Sequence, residues 1–153
     1  MIGIEQIRKF SVKEHGLKEQ RICFHTLSLD EETKMPKGLF LSNDCTKIKT
    51  AMENGCIAVV ISADQALPRW LPNHFPVFIV EHPVTFLFLL LQDYKKILQK
   101  EKWEKMTKLV VNKQVLLKLN RNTNNKQNTN NKQNTVDEVI TMMNLVTQLE
   151  RRG

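Results

Sequence analysis

Two continuous apolar runs constrain this chain more than any other feature. Cys56-Ile57-Ala58-Val59-Val60-Ile61 and Pro76-Val77-Phe78-Ile79-Val80 carry no polar residue at alternate positions. A strand with one wet face alternates in polarity, whereas a strand apolar at every position needs cover on both faces. A parallel sheet between helices supplies that cover. Upstream, Leu39-Phe40-Leu41 reads as a short strand, and Arg21 to Leu29 is rich in β-formers without Gly or Pro. The polar stretch from Asp30 to Gly38, with Pro36, reads as the turn between them.

Helices fill the gaps. Asn43 or Asp44 can cap a helix running through Asn54, and Gly55 stands where a left-handed C-terminal residue belongs. The pattern is helical again from Val84 to Lys100. Ile4, Ile7 and Phe10 share one helical face, which predicts an opening helix over about 3–13 that ends near Gly16. The order strand, helix, strand, loop, strand, helix implies crossover connections. It predicts an α/β fold, a small mainly parallel sheet with flanking helices.

The last third reads differently. Lys108-Leu109-Val110-Val111 can begin a further strand, after which the periodicity is lost. The hexapeptide Asn-Thr-Asn-Asn-Lys-Gln then occurs twice, at 122–127 and 128–133, and offers nothing apolar to bury. Beyond it, Val136, Val139, Ile140, Met143, Val146 and Leu149 form a helical stripe, with Thr135 and Glu138 in capping-box positions. The expected organisation is an α/β domain over 1–100, a basic extension over 101–121, an Asn-rich linker over 122–135 and an amphipathic helix over 136–153. A helix this short is marginal alone, so it docks on its own domain or serves as the contact for a protein partner.

Charge is concentrated. The chain carries a net +7, and between Asp93 and Arg121 there are nine Lys or Arg against three Asp or Glu. Lys95, Lys96, Lys100, Lys102, Lys105 and Lys108 make a basic surface around Trp103. It reads either as a solvated helix face or as a salt-sensitive contact with an anionic surface. The stretch lacks the interleaved aromatics and glycines of a nucleic-acid strand motif, so nucleic acid is not the expected partner. The longest apolar run, residues 86–91, is far below the ~20 residues of a membrane span. Met1 to Arg8 has no cationic leader with an apolar stretch, which suggests a cytoplasmic protein.

Cys23, Cys45 and Cys56 are an odd number at irregular spacing, as expected of reduced thiols packed as small apolar residues. Cys23 and His25 could join Cys45 and Cys56 as zinc ligands, but no Cys-x-x-Cys or His-x-x-x-His spacing is present. No metal or cofactor is expected. His15, His74 and His82 have no carboxylate or nucleophile at a recognisable spacing and receive no catalytic role. Asp30, Glu31 and Glu32 form an acidic cluster that reads either as a solvated turn or as a cation-binding or acid/base group.

Several short motifs occur in the order and at the distances of the Mur-ligase N-terminal domain. Ser28-Leu29-Asp30-Glu31-Glu32 stands where the family has Ser-Thr-Asp-Ser-Arg. Pro36-Lys37-Gly38-Leu39-Phe40-Leu41 stands at its Pro-Gly turn and Leu-Phe strand, and Thr50 to Ile61 and Pro76 to Val80 match its later helix and strands. Residues 21–100 thus resemble the substrate domain of these peptide ligases of cell-wall precursor synthesis, and most of all the enzymes adding the third residue and the final dipeptide. The resemblance implies a site for the uridine diphosphate end of a UDP-sugar, with Ser28 and Asp30 as the residues that match it. The same two residues also suit the plain task of satisfying turn amides. Glu31 and Glu32 replace the family's Ser-Arg pair and turn phosphate attraction into repulsion. The family's longer Asp-Gly-His loop is reduced to Ser42-Asn43-Asp44. Where the ligases carry an ATP-binding Gly-Lys-Thr loop, this sequence reads Val110-Val111-Asn112-Lys113-Gln114-Val115. The chain therefore reads as a non-catalytic binding or regulatory module. The alternatives are a UDP-muramyl-peptide-binding fragment of a split or truncated peptide ligase and an anionic-surface binder through the Lys-rich segment.

Overall fold

The computed structural model describes residues 2–16, 22–100, 107–111, 113–121 and 129–152. Its elements are β1 (Ile2–Gly3), α1 (Ile4–Phe10), β2 (Lys13–His15), β3 (Cys23–Phe24), β4 (Thr26–Ser28), β5 (Gly38–Ser42), α2 (Ile48–Glu53), β6 (Cys56–Ser62), β7 (Val77–Val80), α3 (Pro83–Lys100), β8 (Lys108–Val110), α4 (Lys113–Arg121) and α5 (Thr129–Arg152). A six-stranded sheet runs in the order β2-β7-β6-β5-β4-β8. It is parallel throughout except for β2, which pairs antiparallel with β7 at the edge. β1 and β3 form a separate two-stranded pair. The α/β architecture with a mainly parallel sheet and a C-terminal helix is as the apolar runs require.

Each central strand feeds two cores. Leu39 and Leu41 of β5, Ala58 and Val60 of β6, and Phe78 and Val80 of β7 face a cluster closed by α1, α3, α4 and α5. Phe40, Val59, Ile61 and Val77 face a second cluster with Ile48 and Ala51 of α2 and with Leu71 and Phe75 of the 63–76 loop. A register shift beside Gly38 opposes Leu39 to Ala58 and brings Cys56 to the second cluster. Gly55 has φ +109, the left-handed residue after α2. Gly38 is held by close approach, since a Cβ there would stand 2.6 Å from Met35 O.

Several expectations are corrected. The opening helix ends at Phe10, and Lys13–His15 continue as an edge strand, because Val12 N–H donates to Ile79 O and leads the chain onto β7. The strand expected over 21–29 is broken at His25, whose N–H turns aside to Lys37 O; Arg21 lies outside the described residues. Nor does the domain stop at residue 100. β8 pairs with β4, and Leu116 and Leu119 of α4 join the first core together with Val136, Val139, Met142 and Val146 of α5. Of the two roles open to the apolar stripe, docking on its own domain holds for Val136, Val139 and Val146, which are buried in this chain's own core. α5 also begins at Thr129, inside the Asn-rich repeat. Asn and Thr are poor helix formers but not breakers, and a docked stripe downstream supplies the costly nucleus. Residues 122–128 lie outside the described residues.

One buried polar knot joins the late elements to the early ones. Thr107 is fully buried at the entrance to β8. Its N–H donates to Tyr94 Oη at 2.9 Å, its Oγ1–H donates to Phe24 O at 2.6 Å, and Oγ1 accepts from Ile2 N–H at 2.7 Å. Thr107→Val keeps the shape and removes the hydroxyl, so Ile2 N–H and Phe24 O lose their Thr107 partner in the core. The expected loss is about 2–4 kcal/mol, and Tyr94→Phe, which strands one N–H, costs about 1–3 kcal/mol. Urea unfolding midpoints of both variants check the order; equal stability to wild type contradicts the role of the knot.

Candidate functional site

In parallel sheets, ligands sit beyond the carboxyl ends of the strands, near the point where the chain reverses its direction across the sheet. This chain steps from β4 through β5 and β6 to β7, then returns by α3 to place β8 on the far side of β4. Beside that reversal, a crevice of about 480 Å³ opens past the ends of β4 and β5. Leu29, Leu41, Val115 and Leu119 make its apolar walls. Asp30, Glu31, Lys47 and Lys118 bring two carboxylates and two ammonium groups, and Ser42 and Asn43 line the remainder.

The strand ends share one device. β4, β5 and β6 each finish in Ser-x-Asp: Ser28-Leu29-Asp30, Ser42-Asn43-Asp44 and Ser62-Ala63-Asp64. Ser28 Oγ accepts from Asp30 N–H at 3.0 Å and donates to Asp30 O at 2.9 Å. Ser42 does the same with Asp44, at 3.0 and 3.4 Å, and Ser62 Oγ donates to the Asp64 carboxylate. Each serine turns the chain sharply as it leaves the sheet, which keeps the strand ends short and the crevice open.

Ser28 and Asp30 therefore have local work. Ser28 is fully buried in its turn. Asp30 Oδ1 accepts from Glu32 N–H and Oδ2 from Thr33 Oγ1–H, and only Asp30 of the pair lines the crevice. Glu31 also lines it, its Oε1 lying 3.9 Å from Lys47 Nζ, and Asn54 Nδ2 holds the Glu31 carbonyl at 2.7 Å. Glu32 is exposed and does not reach the crevice lining.

Of the two candidate caps, Asp44 takes the role. It starts the short turn Cys45–Lys47 that leads into α2, accepting from Thr46 N–H and Thr46 Oγ1–H, and both bonds hold its carboxyl below the usual carboxylate range. Asn43, nine-tenths buried, instead donates its Nδ2–H to Leu119 O at 2.9 Å and fixes α4 across the strand ends. Sequence reasoning missed Asn43, Lys47 and Lys118 as crevice residues. The recurrence of Ser-x-Asp at 28, 42 and 62 was the signal that could have located the strand ends.

Of the expected basic surface, Lys95, Lys96 and Lys108 do not line the crevice. Lys95 is half-buried on α3, and Lys96 and Lys108 are exposed. Lys100 is described in its backbone alone, and Lys102, Trp103 and Lys105 lie outside the described residues. A second, shallower groove of about 380 Å³ between α3 and α5 is lined by Phe88 and Met142, with Asp137 and Glu138 at its rim. Among the described residues, no group of three or more His, Cys, Asp or Glu is placed to hold a metal ion, and no helix is long and apolar enough to cross a membrane.

The cysteines separate by exposure. Cys56 is buried, whereas Cys23 is exposed and Cys45 half-buried, so packing as small apolar residues holds for one of the three. Burial pushes the Cys56 thiol up to about 12, with a backbone hydrogen bond from Ala58 opposing it. The folded state thus keeps its proton where the unfolded thiol, near 9, has lost it. That stabilisation is complete below pH about 9 and disappears as pH rises towards 12. Wild type should therefore lose stability faster than Cys56→Val across this window. A thiol reagent near neutral pH should modify Cys23 promptly and Cys56 only on unfolding. Prompt modification of Cys56 in the folded protein contradicts its burial.

No family model matches the chain, and no curated protein matches it significantly.

Proposed function

We propose that this chain is a non-catalytic binding module on the plan of a Mur-ligase substrate domain, with the crevice beyond β4 and β5 as its ligand seat. The observation that carries this reading is the crevice itself: about 480 Å³, apolar walls, and a few polar groups converging at the carboxyl end of a parallel sheet. Its volume lies within the roughly 300–1,000 Å³ of small-molecule seats. The residues between β8 and α4, Val111 and Asn112, lack the glycines of a phosphate-cradling loop, which supports binding without ATP chemistry. A link to cell-wall precursors rests on the motif resemblance of residues 21–100.

A second reading, the UDP-muramyl-peptide-binding part of a split peptide ligase, draws on one observation. Asp30, which matches the family's site, does line the crevice. Glu31 beside it works against a diphosphate, because a carboxylate repels phosphate oxygens and offers them no donor.

Titration of the isotopically labelled chain with a library of small polar fragments tests the first reading. Amide shifts should concentrate at 29–31, 41–43 and 115–119, with no ATP turnover at any stage. UDP should give no response at micromolar concentrations. Fragment shifts confined elsewhere contradict the seat; micromolar UDP binding transfers the argument to the second reading.

A further inference from the structure

The crevice carries charges of both signs, and one buried acceptor in it is unused. Asn43 spends its Nδ2–H on Leu119 O, and its Oδ1 has no donor among the described residues although the residue is nine-tenths buried. A buried amide oxygen left unpaired keeps its desolvation cost, which a ligand N–H recovers. The neighbouring carboxylates of Asp30 and Glu31 line the same crevice, and each carboxylate has more lone-pair positions than its present bonds occupy. Together these are acceptors for an ammonium group. Lys118 is exposed on α4, and Lys47 makes only a long 3.9 Å approach to Glu31. These two suit a single carboxylate.

From this we infer that the crevice binds an amino acid or short peptide by its charged ends. Asp30, Glu31 and Asn43 Oδ1 receive the ammonium, Lys47 and Lys118 receive the carboxylate, and the leucine and valine walls take one apolar side chain. The inference rests on the crevice being the ligand seat and adds the class of ligand. A nucleoside diphosphate is a poor fit, since its negative charges would meet Asp30 and Glu31. A bare apolar ligand is poor as well, since it would leave Asn43 Oδ1 unpaired.

The test is amide-shift titration of the full chain with alanyl-leucine, its N-acetylated form and its C-amidated form. The free dipeptide should shift residues 30–31, 42–43 and 118. Each blocked form should bind roughly tenfold more weakly, the loss of one charge-assisted contact. Lys118→Gln, a change on an exposed helix face that leaves the fold intact, should weaken the free dipeptide and leave the amidated form unchanged. Equal affinity for free and blocked peptides overturns the proposal. Fragments that bind in the crevice while the dipeptide does not overturn the ligand class and leave the seat standing. A crevice silent to every fragment removes the seat, and the proposal with it.

Discussion

The structure depends on Thr107. Its three bonds, to the Tyr94 hydroxyl, the Phe24 carbonyl and the Ile2 amide, tie the second half of α3, the start of β8 and the β1–β3 pair into one buried junction. Thr107 is fully buried away from bulk solvent, so each bond lost there exposes the desolvation cost of the group left behind. β8 is three residues long and sits on the sheet edge beside β4. A strand so short has few ladder bonds, and this junction fixes where it enters.

From β8 the consequences run directly to the candidate site. α4 follows β8, buries Leu116 and Leu119, and is held over the strand ends by Asn43. α5 closes the same core along α3 and α4. The crevice therefore has one wall from the early sheet and another from the late helix. The Ser-x-Asp turns shape the first wall; the Asn43 bond positions the second. Charges of both signs meet there because the early wall brings Asp30, Glu31 and Lys47, and the helix after β8 adds Lys118.

The centre of this fold is legible from sequence for a physical reason. β6 and β7 are apolar at nearly every position, and α3 opens with Pro83 and a full apolar stripe. Burial is strong there, and strong burial leaves a pattern. β2 carries Lys13, Glu14 and His15, which say nothing of a strand, because its pairing to Ile79, Phe78 and Val77 comes from backbone alone. α4 is nine residues long, too few to repeat its Val115, Leu116 and Leu119 pattern, and its packing is tertiary. At the site, Ser28 and Asp30 stood out through their motif, whereas Asn43 and Lys118 did not. Asn43 meets a carbonyl 76 residues away, and no local spacing encodes such a contact.

Because β8 pairs with β4 and α4 and α5 share the first core, the late elements should unfold with the sheet centre as one cooperative unit that completes the crevice. Native-state amide hydrogen exchange tests it most directly, because it reads the opening free energy of each segment separately. The amides of Lys108–Val110 and of α4 should open with the same free energy as those of β5 and β6. If instead they exchange near the unprotected rate while β5 and β6 stay protected, the late elements are an appendage, and the crevice has no second wall.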